Sequence, residues 1–196
     1  MITDPYDDSI GYSIRSPKSG IVTSSHSHPG HGFISGVDGG PKAIHGPGEY
    51  EVSGVFITGI ATFHDAEGGK ERGKNTAYLI EMEDVRLCHL GDLGHTLSAA
   101  QVEEIGAVDV LMVPVGGVST IDAAAAAEVV RLLQPGIVIP MHYKTEALRF
   151  ELEPVERFLK EMGVKAGAEP QPKLSVTRLG LPEETQVVVM NYSAAG

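Results

Sequence analysis

Four times in this chain, a short apolar run ends directly on a histidine or an aspartate. IVTSS (21–25) runs into His26, GVFITGIATF (54–63) into His64, VRLCHLG (85–91) into Asp92 and IVIPM (137–141) into His142. The runs are apolar and largely β-branched, the composition of strands. Strand ends in layered folds gather along one sheet edge, so side chains distant in sequence converge on one cleft. Such a chain is constrained to a sheet-based layered domain with its polar groups pooled where strands stop.

The rest of the pattern agrees with a layered domain. KAIH (42–45) and EYEV (49–52) flank a Gly-Pro-Gly turn, and the polar stretch DAEGGKERGKN (65–75) reads as a loop. NTAYLIEM (75–82) and VRLCHL (85–90) form a hairpin over Glu83-Asp84. Ser98 and Gln101 have capping-box spacing, which predicts a short helix over 99–106. VDVLMVP (108–114) is apolar enough to be buried on both faces. Asp122 caps a helix that ends at Leu133, before Pro135-Gly136. Pro154 opens a third helix at its first helical position; Val155, Phe158, Leu159 and Met162 share one face, and Gly163 stops it. LSVTRL (174–179) and QVVVMN (186–191) are expected strands. Together these predict a sheet-rich sandwich with interspersed helices, one domain over residues 1–196.

Composition narrows the function. Fifteen Lys and Arg against 26 Asp and Glu give a net charge of −11, which argues against a nucleic-acid groove. The one cysteine, Cys88, offers no disulfide framework and fits a reducing cytoplasm; its alternation with Leu87 suits a small buried hydrophobe. No secretory pattern opens the sequence, and no apolar run approaches the roughly 18 residues of a membrane span. The expectation is a soluble cytoplasmic domain acting on a small molecule, away from membranes.

The pooled side chains suit a metal. His26-x-His28 lets two neutral imidazoles of one loop point inward, and His31 follows three residues on. With His64, Asp92 and His142 they make a mixed nitrogen and oxygen donor set, compatible with zinc, iron or manganese. So many histidines without cysteine point to an open catalytic site, where a metal lowers the pKa of bound water from ~15.7 towards ~7. His45, His89 and His95 fall outside this pattern: the first two read as strand residues and His95 as a residue at the pocket mouth. Asp65 reads as a solvated loop acid. Lys70, Arg72 and Lys74 form the densest basic cluster and, beside His64, suit attraction of a phosphate or carboxylate. Gly116-Gly117 lacks the surrounding residues of a nucleotide-binding loop, and no GxSxG elbow occurs.

SHSHPGH, FHD, HLGDLGH and PMHYK, in this order, resemble the metallo-β-lactamase superfamily. GPGEYEV, GGKERGKNT and VPVGG are similar to its ascorbate-6-phosphate-lactonase-like branch of zinc-dependent hydrolases. The resemblance spans nearly the whole chain. It implies an αββα four-layer sandwich of the α+β class with a metal site at one edge of the two sheets. It also implies that His26, His28 and His64 hold a first metal, that His31 and His142 hold a second, and that Asp92 bridges them. Asp92 would further serve catalysis by accepting a hydrogen bond from the nucleophile, and Asp4 would support the ligands from behind.

Two departures qualify that expectation. The family pattern is His-x-His-x-Asp-His, and Gly30 stands at the Asp position, which implies weaker occupancy of the second metal position. The family also carries a hairpin ahead of Thr3-Asp4-Pro5; its absence is expected to leave an open strand edge that a homo-oligomer would cover. The expected function is a zinc-dependent hydrolase of a small anionic ester, lactone or phosphoester. The alternatives are a degenerate metal-binding protein without turnover, a mononuclear iron enzyme, and a nuclease or phosphodiesterase, which the negative charge disfavours.

Overall fold

The computed structural model describes residues 1–164 and 169–192. Among these described residues, ten strands form two sheets. Strands β1 (Ile2–Thr3), β2 (Ile21–Ser24) and β3 (Lys42–His45) make a small parallel sheet in that order. The large sheet starts with an antiparallel meander of β4 (Gly48–Val52), β5 (Val55–Phe63), β6 (Lys74–Met82) and β7 (Val85–His89). It continues in parallel through β8 (Val110–Pro114), β9 (Ile137–Met141) and β10 (Gln186–Val187). The parallel strands need crossovers, and α1 (Ala99–Ile105), α2 (Ala123–Leu133) and α3 (Val155–Glu161) supply them in turn. No helix among the described residues is long and apolar enough to cross a membrane.

The two-residue period of the strands sorts side chains between two cores. On β6, Tyr78 and Ile80 face the small sheet and pack with Ile21, Ile44 and Ile57, while Ala77 and Leu79 face the helices. Cys88 on β7 lies fully buried on the helix side, where apolar surroundings push its thiol up to about 12. Leu111 and Val113 of β8, Ala126 and Val130 of α2 and Phe158 of α3 complete that core. The helix ends follow their local chemistry: Ser98 and Gln101 form the capping box of α1, and Asp122 accepts the Ala125 N–H at the start of α2.

Three local expectations need correction. Residues 174–179 form no strand: Leu174 and Val176 are half-buried as alternation demands, but β10 already occupies the edge beside β9. Over 186–191 the strand is confined to β10, with one further bridge between Met190 and Gln171. Pro154 stands just ahead of α3 in extended conformation, outside its first turn. The Gly-Pro-Gly turn joins two short strands as expected, and because β3 and β4 lie in different sheets it carries the chain between them.

Candidate metal centre

The loop after β2 carries His26, His28 and His31, and His64 follows β5 directly. Asp92 lies three residues beyond β7, and His142 follows β9. These strand ends meet at one edge, where a single oxygen of Asp92, Oδ2, faces four imidazoles. Nε2 of His64, His31, His142 and His26 lie 3.2, 3.3, 3.6 and 3.9 Å from it. Three overlapping groups result: His26, His64 and Asp92; His31, Asp92 and His142; and His26, His28 and His31. The second of these contains the three residues implied for a second metal. His28 groups with His26 and His31 and stays exposed, whereas the resemblance sets it beside His64.

Hydrogen bonds behind the imidazoles aim them. Asp4 lies within 3.0 Å of His31 Nδ1 and takes the Ser25 N–H at 2.7 Å, so His31 turns Nε2 to the centre. Ser25 Oγ lies 3.0 Å from His26 Nδ1 and does the same for that ring. The Gly30 N–H donates to His28 Nδ1, which leaves Nε2 as the free nitrogen of His28. Asn75 accepts the Asp92 N–H at 3.0 Å and donates to Thr62 and the Leu90 carbonyl, fixing the turn that presents Asp92. No motif marks Asn75; the β6–β7 register, in which Tyr78 faces His89, continues to set it beside Asp92, while β5 supplies Thr62 on its other side.

Close backbone approach completes the frame. Gly91 has a φ of +57°, and a Cβ there would lie 2.5 Å from Asn75 Oδ1. A Cβ on Gly116 would lie 2.1 Å from the His142 carbonyl oxygen. His142 itself has a φ of +52°, a strained conformation for a non-glycine residue, of a kind concentrated at functional sites.

The electrostatics favour a ligand-ready state. Burial alone would push the Asp92 carboxyl up, but His142, His64, His31 and His26 together hold it well below the usual carboxylate range. Burial pushes His26 down to about 4 and lowers His142, so both keep a free lone pair at neutral pH. His31 moves the other way: its bond to Asp4 and the nearby Asp92 charge outweigh its burial. The Nδ1 atoms of His64 and His142 are buried without partners. Imidazoles crowding one ionised carboxylate fit a divalent cation of borderline softness.

One other acid and two other histidines take definite places. Asp65 is buried, not solvated, and accepts the N–H groups of Glu67, Gly69, Glu71 and Arg72, which hold its carboxyl down to about 2. It therefore neither orients an imidazole nor replaces a ligand. His95 Nε2 accepts the Phe63 N–H. His89 is buried, its Nδ1 accepting the Gly91 N–H. The centre separates two clefts. One, of about 560 Å³, has His31, Asp92 and His142 on its wall beside Tyr12, Met141 and Phe150; the other, of about 880 Å³, has His26 and His28.

The chain is similar to several known proteins. Residues 1–142 match the family model described as a beta-lactamase superfamily domain. A crystal structure from Thermotoga maritima, named as a zinc-dependent hydrolase of the metallo-β-lactamase superfamily, is 44% identical. It covers 96% of this chain, the match takes in 88% of its own, and the TM-score is 0.78. A UPF0173 metal-dependent hydrolase of Pyrococcus horikoshii is 36% identical over 100 residues, 50% of this chain and 44% of that protein. The match thus spans less than half the length of this curated relative. A structure named for metal-dependent hydrolase activity, from Parabacteroides distasonis, shares the fold at 16% identity and a TM-score of 0.64, covering 97% of this chain and 85% of its own.

Proposed function

The chain belongs to the metallo-β-lactamase superfamily, and on that premise we propose that it is a metal-dependent hydrolase with its reaction centred on Asp92. One observation carries the reading: four imidazole Nε2 atoms lie within 4 Å of a single buried carboxylate oxygen. His26, His64 and Asp92 would hold one ion, joined by His28 as the resemblance implies, and His31, His142 and Asp92 a second. When bound, a divalent metal supplies Lewis acidity and lowers the pKa of water. Zinc is our assignment, since imidazole-rich sites with one carboxylate suit it, although iron and manganese accept the same donors.

The protein's own groups do the remaining work. Asp4 orients His31, and Asn75 holds the backbone that presents Asp92. Asp92, kept ionised by its imidazole neighbours, would accept a hydrogen bond from the attacking water and orient it. Facing clefts on either side of the centre suit a small ester, lactone or phosphoester, the chemistry of the lactonase-like branch that the motifs resemble. Gly30 favours a second reading, a binding protein with impaired turnover, because no carboxylate stands there. A Cβ at Gly30 meets His28 Nδ1 at 3.1 Å, contact that the exposed His28 ring relieves by a small shift.

Elemental analysis after zinc reconstitution tests both readings, paired with assays on generic esters and phosphodiesters. We expect at least about one zinc per chain, more in Gly30→Asp, and a loss of metal and turnover of about 100-fold or more in Asp92→Asn. Bound metal without hydrolysis in either protein would leave the binding reading. No metal at all would overturn both.

A further inference from the structure

The larger of the two clefts beside the candidate metal centre has arginine and lysine side chains on its wall, and the smaller has none among the described residues. Its wall includes His26 and His28 on one side and Arg72 and Lys74 on another. In a chain of net charge −11 this is a local reversal. Lys74 forms no ion pair with any described residue, and Arg72 has only the exposed Glu71 at 3.6 Å. The one carboxylate on the cleft wall, Asp7, is committed to the Ser9 N–H and hydroxyl.

The segment that delivers these cations is held to the metal centre itself. Asp65, directly after His64, takes the Arg72 N–H at 2.7 Å and three more N–H groups of the same loop. The His64 N–H donates to the Gly73 carbonyl, and Lys74 pairs in register with Phe63. Arg72 also donates to the Val118 carbonyl, which ties the loop to the segment after β8. The backbone at Arg72 and Lys74 is thus fixed relative to His64, so both side chains start from defined positions beside the centre. A guanidinium fork and an ammonium in one cleft match the oxygens of a phosphate or carboxylate.

We propose that Arg72 and Lys74 form an anion subsite that holds the phosphate or carboxylate group of the substrate while its scissile bond lies at Asp92. The proposal rests on the hydrolase reading above and gives it a substrate class and a direction of binding. It predicts specificity for substrates whose anionic group sits on the His26–His28 side of the centre.

Calorimetric titration with inorganic phosphate, and separately with acetate, tests it on the protein as purified, with metal content measured alongside. The variants are the Arg72→Gln/Lys74→Gln double substitution and Lys70→Gln, a loop cation outside the cleft wall. The expected result is phosphate or acetate binding weakened at least about tenfold in the double variant, with metal content unchanged and Lys70→Gln like the unaltered protein. Tighter phosphate assigns a phosphoester substrate, and tighter acetate a carboxylate. Equal binding in the double variant would mean that anions go to the metal alone, which overturns the subsite and leaves the hydrolase reading intact. An equal loss in Lys70→Gln would reduce the effect to general charge attraction and overturn it too. Loss of metal in the double variant would make these residues supports of the ligand loop, not of substrate. Absence of metal from the unaltered protein would instead overturn the hydrolase reading, while the titration still reads the subsite.

Discussion

At Asp92, the approach of four imidazoles to one carboxylate oxygen makes the protonation of each ring matter for all the others. His26 is a ring whose burial lowers its pKa from 6.5 to about 4. The unfolded chain therefore binds more protons than the folded one between those values, so His26's contribution is intact above about pH 6.5 and is lost as pH falls towards 4. For the metal-free protein the penalty reaches roughly 3 kcal/mol at full protonation. Melting temperatures in chelator from pH 8 to pH 4 should fall more steeply for the unaltered protein than for His26→Gln; parallel curves would contradict this. Asp4 makes a second prediction at this scale. Asp4→Asn keeps the size of the side chain but removes the charge behind His31, and should weaken metal affinity about 10–100-fold in chelator competition. Unchanged affinity would mean that the His31–Asp4 contact does not aim the ring.

Among the elements, α3 and the loop after β5 are governed by different physics. Helix α3 is only seven residues long and owes its place to packing, since so short a helix does not persist alone in water. Phe158 is fully buried against α2 and the large sheet, and Phe158→Ala should cost about 3–5 kcal/mol in denaturant unfolding. A loss below about 1 kcal/mol would show that the helix closes over the cavity. The loop after β5 has little apolar surface and depends on the bonds to Asp65. Asp65→Ala should expose it to trypsin, with cleavage after Lys70 and Arg72 several-fold faster while the sheet stays resistant. Equal cleavage rates would show that the bonds to β6 and Val118 suffice.

Across the whole molecule, the candidate metal centre joins parts that no single core unites. Its candidate ligands come from the loop after β2 in the small sheet and from the ends of β5, β7 and β9 in the large one. A bound ion favours the folded state over the unfolded one, by about 2.7 kcal/mol when free metal is a hundredfold above its dissociation constant. Chelation should therefore lower the melting temperature by several degrees, and zinc return should restore it. A melting temperature indifferent to metal would show that the two sheets hold the ligands without help. Tyr78, buried on β6, supplies such help independently by donating its hydroxyl to the Ser24 carbonyl across the sheets.

What could be read from the sequence depended on short range. Alternation along 75–82, the Ser98–Gln101 box, the Asp122 cap and the ligands waiting at strand ends are local patterns, set by the two-residue and 3.6-residue periods and by backbone groups a turn apart. The two sheets, the overlapping groups around Asp92, the exposure of His28, and the parts played by Asn75 and Asp65 are matters of tertiary structure. The same holds for residues 174–179, whose alternation is strand-like but which found no free edge. Each of these depends on which distant backbone and side-chain groups become neighbours when the sheets close. Hydrogen bonding and burial are decided by those neighbours, so a residue's own type leaves them open.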